Sequence, residues 1–258
     1  MEGKKGIILG VANDKSIGWA CAKQLHDAGA TIGFSYLNDA IEKRVRPLAE
    51  SIGAEYIEKC DVTKDEEIES FVKGFGEKYG QIDFIVHSLA FADGEDLKAG
   101  VLNTSRDGFK LANDISAYSL IAVTREARPY MKEGSAVVSM TYLGSTRVVE
   151  GYNVMGIAKA ALETANMYLA HDLGPDGIRV NTISAGPIKT LAASGVPRFK
   201  AMLKRFADSA ALGRNVVAEE VGKTCLYLLS DLSSGVTGET HYVDAGYQTM
   251  GFKHPKED

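Results

Sequence analysis

Strand-like and helix-like segments alternate along almost the whole chain, and this alternation constrains the fold more than any other feature. Short apolar runs at Lys5–Val11, Thr31–Tyr36, Ala54–Glu58, Ile82–His87, Ser135–Met140, Ile178–Ile183 and Glu239–Val243 read as strands. Helical periodicity marks Ser16–Ala28, Asp39–Ile52, Asp65–Tyr79, Arg106–Met131, Tyr152–Leu173, Pro197–Ser209 and Ala218–Leu229. Such a chain buries its strands in a parallel sheet with helices on both faces. The near-continuous apolar run Ile82–His87 fits a sheet covered on both sides. The expected fold class is α/β, a doubly wound parallel sheet flanked by helices, in a single domain over residues 1–258. Right-handed crossovers then gather the strand carboxyl ends on one edge, where these sheets bind ligands.

Composition narrows what could bind there. The 258 residues carry 29 basic and 34 acidic side chains, a formal net charge of −5. A nucleic-acid binder would show a strongly basic domain, so no nucleic-acid partner is expected. The longest uncharged stretch, Gly134–Thr146, has 13 residues and includes Gly, Ser and Thr. It is too short and too polar to span a membrane. The start, Met1–Ala12, has a faint signal-peptide character that Asp14 and Lys15 cut short. Cys21, Cys60 and Cys225 form neither a metal spacing nor a disulfide framework, which points to a reducing, cytoplasmic setting. His26, His87, His171, His241 and His254 form no ligand cluster, and His87 reads as a satisfied core residue. No metal site is expected.

The first strand runs into Gly10-Val11-Ala12-Asn13-Asp14-Lys15-Ser16-Ile17-Gly18. A strand, a small-residue loop and a helix start form an anion site, because unpaired N–H groups and the positive dipole end face a pyrophosphate. Gly10 permits a tight turn, and Ser16 can cap the helix or bond a phosphate. The loop is longer than G-x-G-x-x-G and reads equally as a capped helix after a turn. With the strand–helix context, a Rossmann-type dinucleotide site is the functional expectation. The second strand ends at Tyr36-Leu37-Asn38-Asp39, with no Arg or Lys at its tip for a 2′-phosphate, so NADH is favoured over NADPH. Asp61-Val62 ends the third strand; Asp61 reads as an adenine acceptor or as a loop acid starting a helix.

Three segments carry a resemblance: Tyr142-Leu143-Gly144-Ser145, then Tyr152-Asn153-Val154-Met155-Gly156-Ile157-Ala158-Lys159-Ala160, then Ser184-Ala185-Gly186-Pro187-Ile188-Lys189-Thr190-Leu191-Ala192. They resemble the enoyl-[acyl-carrier-protein] reductases of the short-chain dehydrogenase/reductase superfamily. The likeness also takes in the Gly10–Gly18 loop, His87-Ser88-Leu89-Ala90-Phe91-Ala92 and Val243-Asp244-Ala245-Gly246. The Tyr-x₆-Lys spacing with Tyr142 upstream is its most specific part. Ketone-reducing relatives use Tyr-x₃-Lys; here the residue four before Lys159 is Met155, which cannot donate a proton. On one helix Tyr152 and Lys159 would share a face, ~10 Å apart along the axis. The longer offset suits a thioester oxygen two carbons from the carbon that takes hydride. Gly18-Trp19, Asp93 and Leu37 depart from the family pattern.

The resemblance implies NADH-dependent reduction of a trans-2-enoyl thioester of acyl-carrier protein, in fatty-acid elongation. It implies Tyr152 as hydrogen-bond donor to the thioester oxygen, Lys159 as partner of the nicotinamide ribose, and Tyr142 as a second pocket tyrosine. By position, Gly10, Ser16 and Ile17 would face the pyrophosphate, Leu37 the ribose side, and Asp61 and Val62 the adenine. Leu89 would lie under the cofactor, with Ile188, Thr190, Leu191 and Ala192 at its nicotinamide end. Phe91, Ala92 and Met155 would border the substrate, and Val196 and Phe199, with Met202 and Leu203, an acyl channel. A mobile lid is expected near 190–209, although an ordinary surface helix fits the same pattern. Arg198, Lys200, Lys204 and Arg205 would steer the acidic carrier, or simply form a solvated face. The family implies a homotetramer. The alternatives are a superfamily member reducing a ketone or alcohol, and an NAD-binding module without catalysis.

Overall fold

The computed structural model describes residues 1–191 and 199–251. Seven strands share one sheet: β1 (Lys5–Leu9), β2 (Thr31–Tyr36), β3 (Tyr56–Lys59), β4 (Phe84–His87), β5 (Ala136–Thr141), β6 (Arg179–Ala185) and β7 (Thr240–Val243). Their order is β3-β2-β1-β4-β5-β6-β7, and every neighbouring pair is parallel. Alternation along each strand feeds two cores. Ile7, Ile85, Val137 and Val180 enter one with Phe71, Leu120 and Leu162. Ile8, Val86, Val138 and Ile183 enter the other with Trp19, Leu25 and Leu228. Burial of both faces is why these strands read as apolar runs. The order reverses between β1 and β4, and such a switch point opens a crevice at the strand carboxyl ends.

The helices are α1 (Ile17–Asp27), α2 (Asp39–Ser51), α3 (Asp65–Tyr79), α4 (Gly94–Lys98), α5 (Arg106–Asn113), α6 (Ser119–Ala127), α7 (Asn153–Leu173), α8 (Phe199–Ser209) and α9 (Ala218–Leu229). Cys21 on α1 and Cys225 on α9, distant in the chain, are buried neighbours whose thiols interact. Among the described residues no helix is long and apolar enough to cross a membrane.

Two expectations need correction. The helix expected over Arg106–Met131 is divided. A π turn at Asp114–Tyr118 separates α5 from α6, and a 3₁₀ turn at Arg128–Tyr130 follows. Ser119 returns its hydroxyl to the Ile115 carbonyl (2.7 Å), and Pro129 lacks the N–H needed to continue the helix. Tyr152 does not start a regular rod either. It precedes α7, and Asn153 has φ 39°. The Asn153 amide is held by the Leu97 carbonyl instead.

Candidate active site

The carboxyl ends of β4 and β5, the start of α7 and the π turn converge on Lys159. Its side chain is buried, and its ammonium donates to the main-chain carbonyls of Met140 (2.7 Å) and Leu89 (3.2 Å). An ammonium has three donors, so one remains for a ligand. Burial pulls its pKa down to about 8, against a smaller opposing pull from Glu163. Below it His87 is fully buried, with Nε2 2.7 Å from the Ser119 hydroxyl. The Ser119 proton goes to Ile115, so His87 Nε2 is the donor in that pair. Burial, and then the Lys159 charge, hold the imidazole neutral with a pKa of about 3. His87 is thus a core residue, but half satisfied: among the described residues its Nδ1 has no partner.

The two tyrosines meet edge to face, ring centroids 4.9 Å apart. Gly144 makes room for this. A Cβ there would lie 2.3 Å from the Tyr152 ring. Burial, and secondarily Tyr142, push the Tyr152 phenol above its ordinary range; burial and Tyr247 raise Tyr142 to about 12. Both are neutral donors near pH 7. Tyr142 touches the Met202 sulfur on α8 (3.8 Å), whereas among the described residues the Tyr152 hydroxyl has no hydrogen-bond partner. A free phenol thus stands beside an occupied one, at the edge that also carries the ammonium. Tyr152 and Ala92 pack on Leu97, Val154 and Met155. Phe91 is exposed, and its amide donates to the buried Ser116 hydroxyl of the π turn (3.1 Å).

The residues expected to hold a dinucleotide occupy the same edge. Gly10 follows β1 at φ 95°, and a Cβ would lie 2.1 Å from the Ser88 carbonyl oxygen, so β1 and β4 converge only with glycine there. Ser16 does not cap α1; its hydroxyl accepts from the Ala12 and Asn13 amides and shapes the loop. The first turn of α1, starting at Ile17, is left without a side-chain cap, which suits an anion. Leu37 is exposed past β2 and Val62 is buried past β3. Asp61 accepts from the Thr63 amide and hydroxyl through Oδ1 (3.1 and 2.8 Å), as a loop acid does, which leaves Oδ2 out of both bonds. Leu89 offers its carbonyl to Lys159, and Ile188 and Thr190 are joined by a main-chain bond of 2.9 Å after the buried Pro187. Leu191 is exposed at the end of this segment. Ala192, Val196 and Arg198 lie outside the described residues, while Phe199 begins α8 half-buried. A cleft of about 580 Å³ lies between α8 and the start of α9, lined by Lys15, Ile188, Lys189, Lys200, Leu203 and Lys204. It does not contain the tyrosines.

Ser116, Ser119, Thr141 and Glu163 were not singled out in the sequence. Only spacing from Lys159 could have flagged Glu163, one helical turn on. The serines needed the π turn, which periodicity does not reveal.

A switch-point crevice with a glycine turn, a buried lysine and a free phenol defines a dinucleotide-dependent oxidoreductase fold of the short-chain dehydrogenase type. More narrowly, the chain belongs to the enoyl-(acyl carrier protein) reductase family, whose sequence profile matches residues 10–248. It is 53% identical over 253 residues to the enoyl-[acyl-carrier-protein] reductase [NADH] 1 of Rhizobium meliloti (strain 1021), covering 98% of this chain and 93% of that one. A crystal structure of the reductase from Anaplasma phagocytophilum in complex with NAD has TM-score 0.95 and 45% identity, covering 99% of this chain and 97% of that one. That of the Bacillus cereus reductase with NADP+ and indole naphthyridinone has TM-score 0.95 and 48% identity, covering 97% and 98%.

Proposed function

We propose that this chain reduces the trans-2 double bond of enoyl thioesters on acyl-carrier protein, using NADH, in fatty-acid elongation. The observation that carries this reading is the unengaged Tyr152 hydroxyl beside Tyr142, on the edge where Lys159 is held. Lys159 and the Gly10–Ile17 turn would hold a reduced nicotinamide dinucleotide, which would supply the hydride for C3 of the substrate. Negative charge then builds on the thioester oxygen two carbons away. Tyr152 donates a hydrogen bond to that oxygen in a site poor in water, which stabilises the enolate. Lys159 would offer its third donor to the ribose, and its charge favours the developing anion. C2 takes a proton from Tyr152 or solvent, completing the saturated thioester. Met155, buried where ketone-reducing relatives carry the phenol, offers no proton.

Gly10, Ser16 and Ile17 would receive the pyrophosphate, with Val62 and Asp61 at the adenine. Leu37 and the absence of a basic tip on β2 support NADH over NADPH. Ile188, Thr190 and Leu191 would border the nicotinamide, and Phe91, Ala92 and Phe199 the acyl group; Ala192 and Val196, expected beside them, lie outside the described residues. Within the segment near 190–209 read as a lid, Met202 on α8 rests against Tyr142. Acyl-carrier protein approaches along α8, where Lys200 and Lys204 are exposed and, among the described residues, in no ion pair. Exposed Phe109, Tyr118, Ile121, Ile157, Met167 and Tyr168 on and between α5, α6 and α7 support a homotetramer. Three buried free thiols fit a reducing cytoplasm.

Loss of NADH absorbance with crotonyl thioester, and no loss with a simple ketone, is the expected result. Turnover of the ketone alone would establish the ketone reductase, and turnover of neither the non-catalytic module.

A further inference from the structure

The carboxylate of Glu163 lies against the end of β5 and has no part in the reaction above. Thr141, the last residue of β5, is buried, and its hydroxyl donates to Glu163 Oε1 at 2.6 Å. Residues on either side of Thr141 belong to the site: the Met140 carbonyl accepts from Lys159, and Tyr142 packs on Tyr152. Glu163 stands four residues after Lys159 on α7, so both project from one face of the helix. Two bonds therefore stitch α7 to the end of β5 one turn apart, Lys159 to Met140 and Thr141 to Glu163.

We propose that Glu163 is a positioning residue for the catalytic pair: it pins the end of β5 to α7 and lends its negative charge to the Lys159 side of the site. The inference rests on the reading of Tyr152 and Lys159 given above. The bond to Thr141 fixes the main-chain oxygen that Lys159 uses, and with it the origin of the Tyr142 side chain. The charge acts on both reacting groups, since Glu163 raises the pKa of Lys159 and of Tyr152. Other titratable groups at this edge, His87 on β4, Tyr142 after β5 and Tyr152 before α7, are uncharged near neutral pH. Among the described residues Glu163 is thus the charged group opposing the desolvation of Lys159. It keeps the ammonium protonated and the phenol a donor.

Three variants separate the two effects. Glu163→Gln keeps an acceptor for Thr141 and removes the charge. Thr141→Val removes the bond and keeps the charge, and Thr141→Ser restores the hydroxyl. Lys159 is titrated by NMR in protein labelled with ε-¹³C lysine, without substrate, its signal assigned by its loss in Lys159→Arg. In Glu163→Gln its midpoint falls by about 0.5–1 pH unit. The alkaline limb of kcat/KM for crotonyl thioester moves down in parallel. An unmoved midpoint overturns the electrostatic role. Thr141→Val lowers kcat about tenfold, and Thr141→Ser recovers it; an unchanged kcat in Thr141→Val overturns the pinning role. Should the wild-type protein leave crotonyl thioester untouched, the proposed activity fails, while the NMR titration still decides whether Glu163 acts on Lys159.

Discussion

At the scale of single residues, burial of the Lys159 ammonium carries a desolvation cost. A lysine ordinarily titrates near ~10.4, and burial brings this one to about 8. Between those values the unfolded chain binds more protons than the folded one, so stability rises with pH across that window. Below about 8 the burial penalty is fully present. Wild type should therefore gain about 3 kcal/mol relative to Lys159→Met between pH 7 and pH 10.5, at 1.36 kcal/mol per pKa unit. Urea unfolding of both proteins at the two pH values measures it, and parallel pH curves would refute it. The Tyr-x₆-Lys spacing made Tyr152 and Lys159 legible in the sequence, and Gly10 was legible as a turn at the end of an apolar run. Ser16 was legible only in part, since its hydroxyl shapes the loop instead of capping α1. The role of Asp61 stayed open for a physical reason: a short acid after a strand bonds its own main chain as readily as a ligand.

At the scale of elements, the π turn between α5 and α6 does the work that a regular helix would not. One extra residue re-aims the wall so that Ser119 meets His87 and Ser116 meets the Phe91 amide. π segments are frequent at functional sites. Ser116→Ala should release the loop that carries Leu89, Phe91 and Ala92. We expect kcat/KM for an enoyl thioester to fall about tenfold, with a stability loss of about 1–2 kcal/mol. Steady-state kinetics and urea unfolding check both; unchanged kcat/KM would show that the turn does not position this loop. The strands and longer helices were readable because burial on one or two faces writes a period into the sequence. A single inserted residue leaves that period almost intact, so Arg106–Met131 looked continuous. The positive φ of Asn153 left no such signal either, because what stabilises it, the Leu97 carbonyl, is far away in the chain.

At the scale of the whole molecule, an acidic protein presents basic side chains around the cleft between α8 and α9. Lys200 and Lys204 on α8 line a cleft with Lys15 and Lys189. Electrostatic complementarity of this kind acts mainly on encounter and falls with salt. Lys200→Glu combined with Lys204→Glu should raise KM for a carrier-linked enoyl substrate several-fold and leave a coenzyme A thioester nearly unaffected. Equal effects on the two substrates would remove the steering role. The parallel, doubly covered sheet followed from the α/β alternation, whereas its strand order and the contact of α8 with Tyr142 through Met202 depend on long-range approaches that no local pattern records.

Tyr152→Phe tests the central proposition most directly. The substitution removes one oxygen from a ring that Gly144 and Tyr142 still hold in place. NADH binding, followed by fluorescence, should be unchanged, while kcat for crotonyl thioester should fall about 10²–10³-fold, the usual effect of losing one donor to a developing oxyanion. Turnover at the wild-type rate in that variant would contradict it.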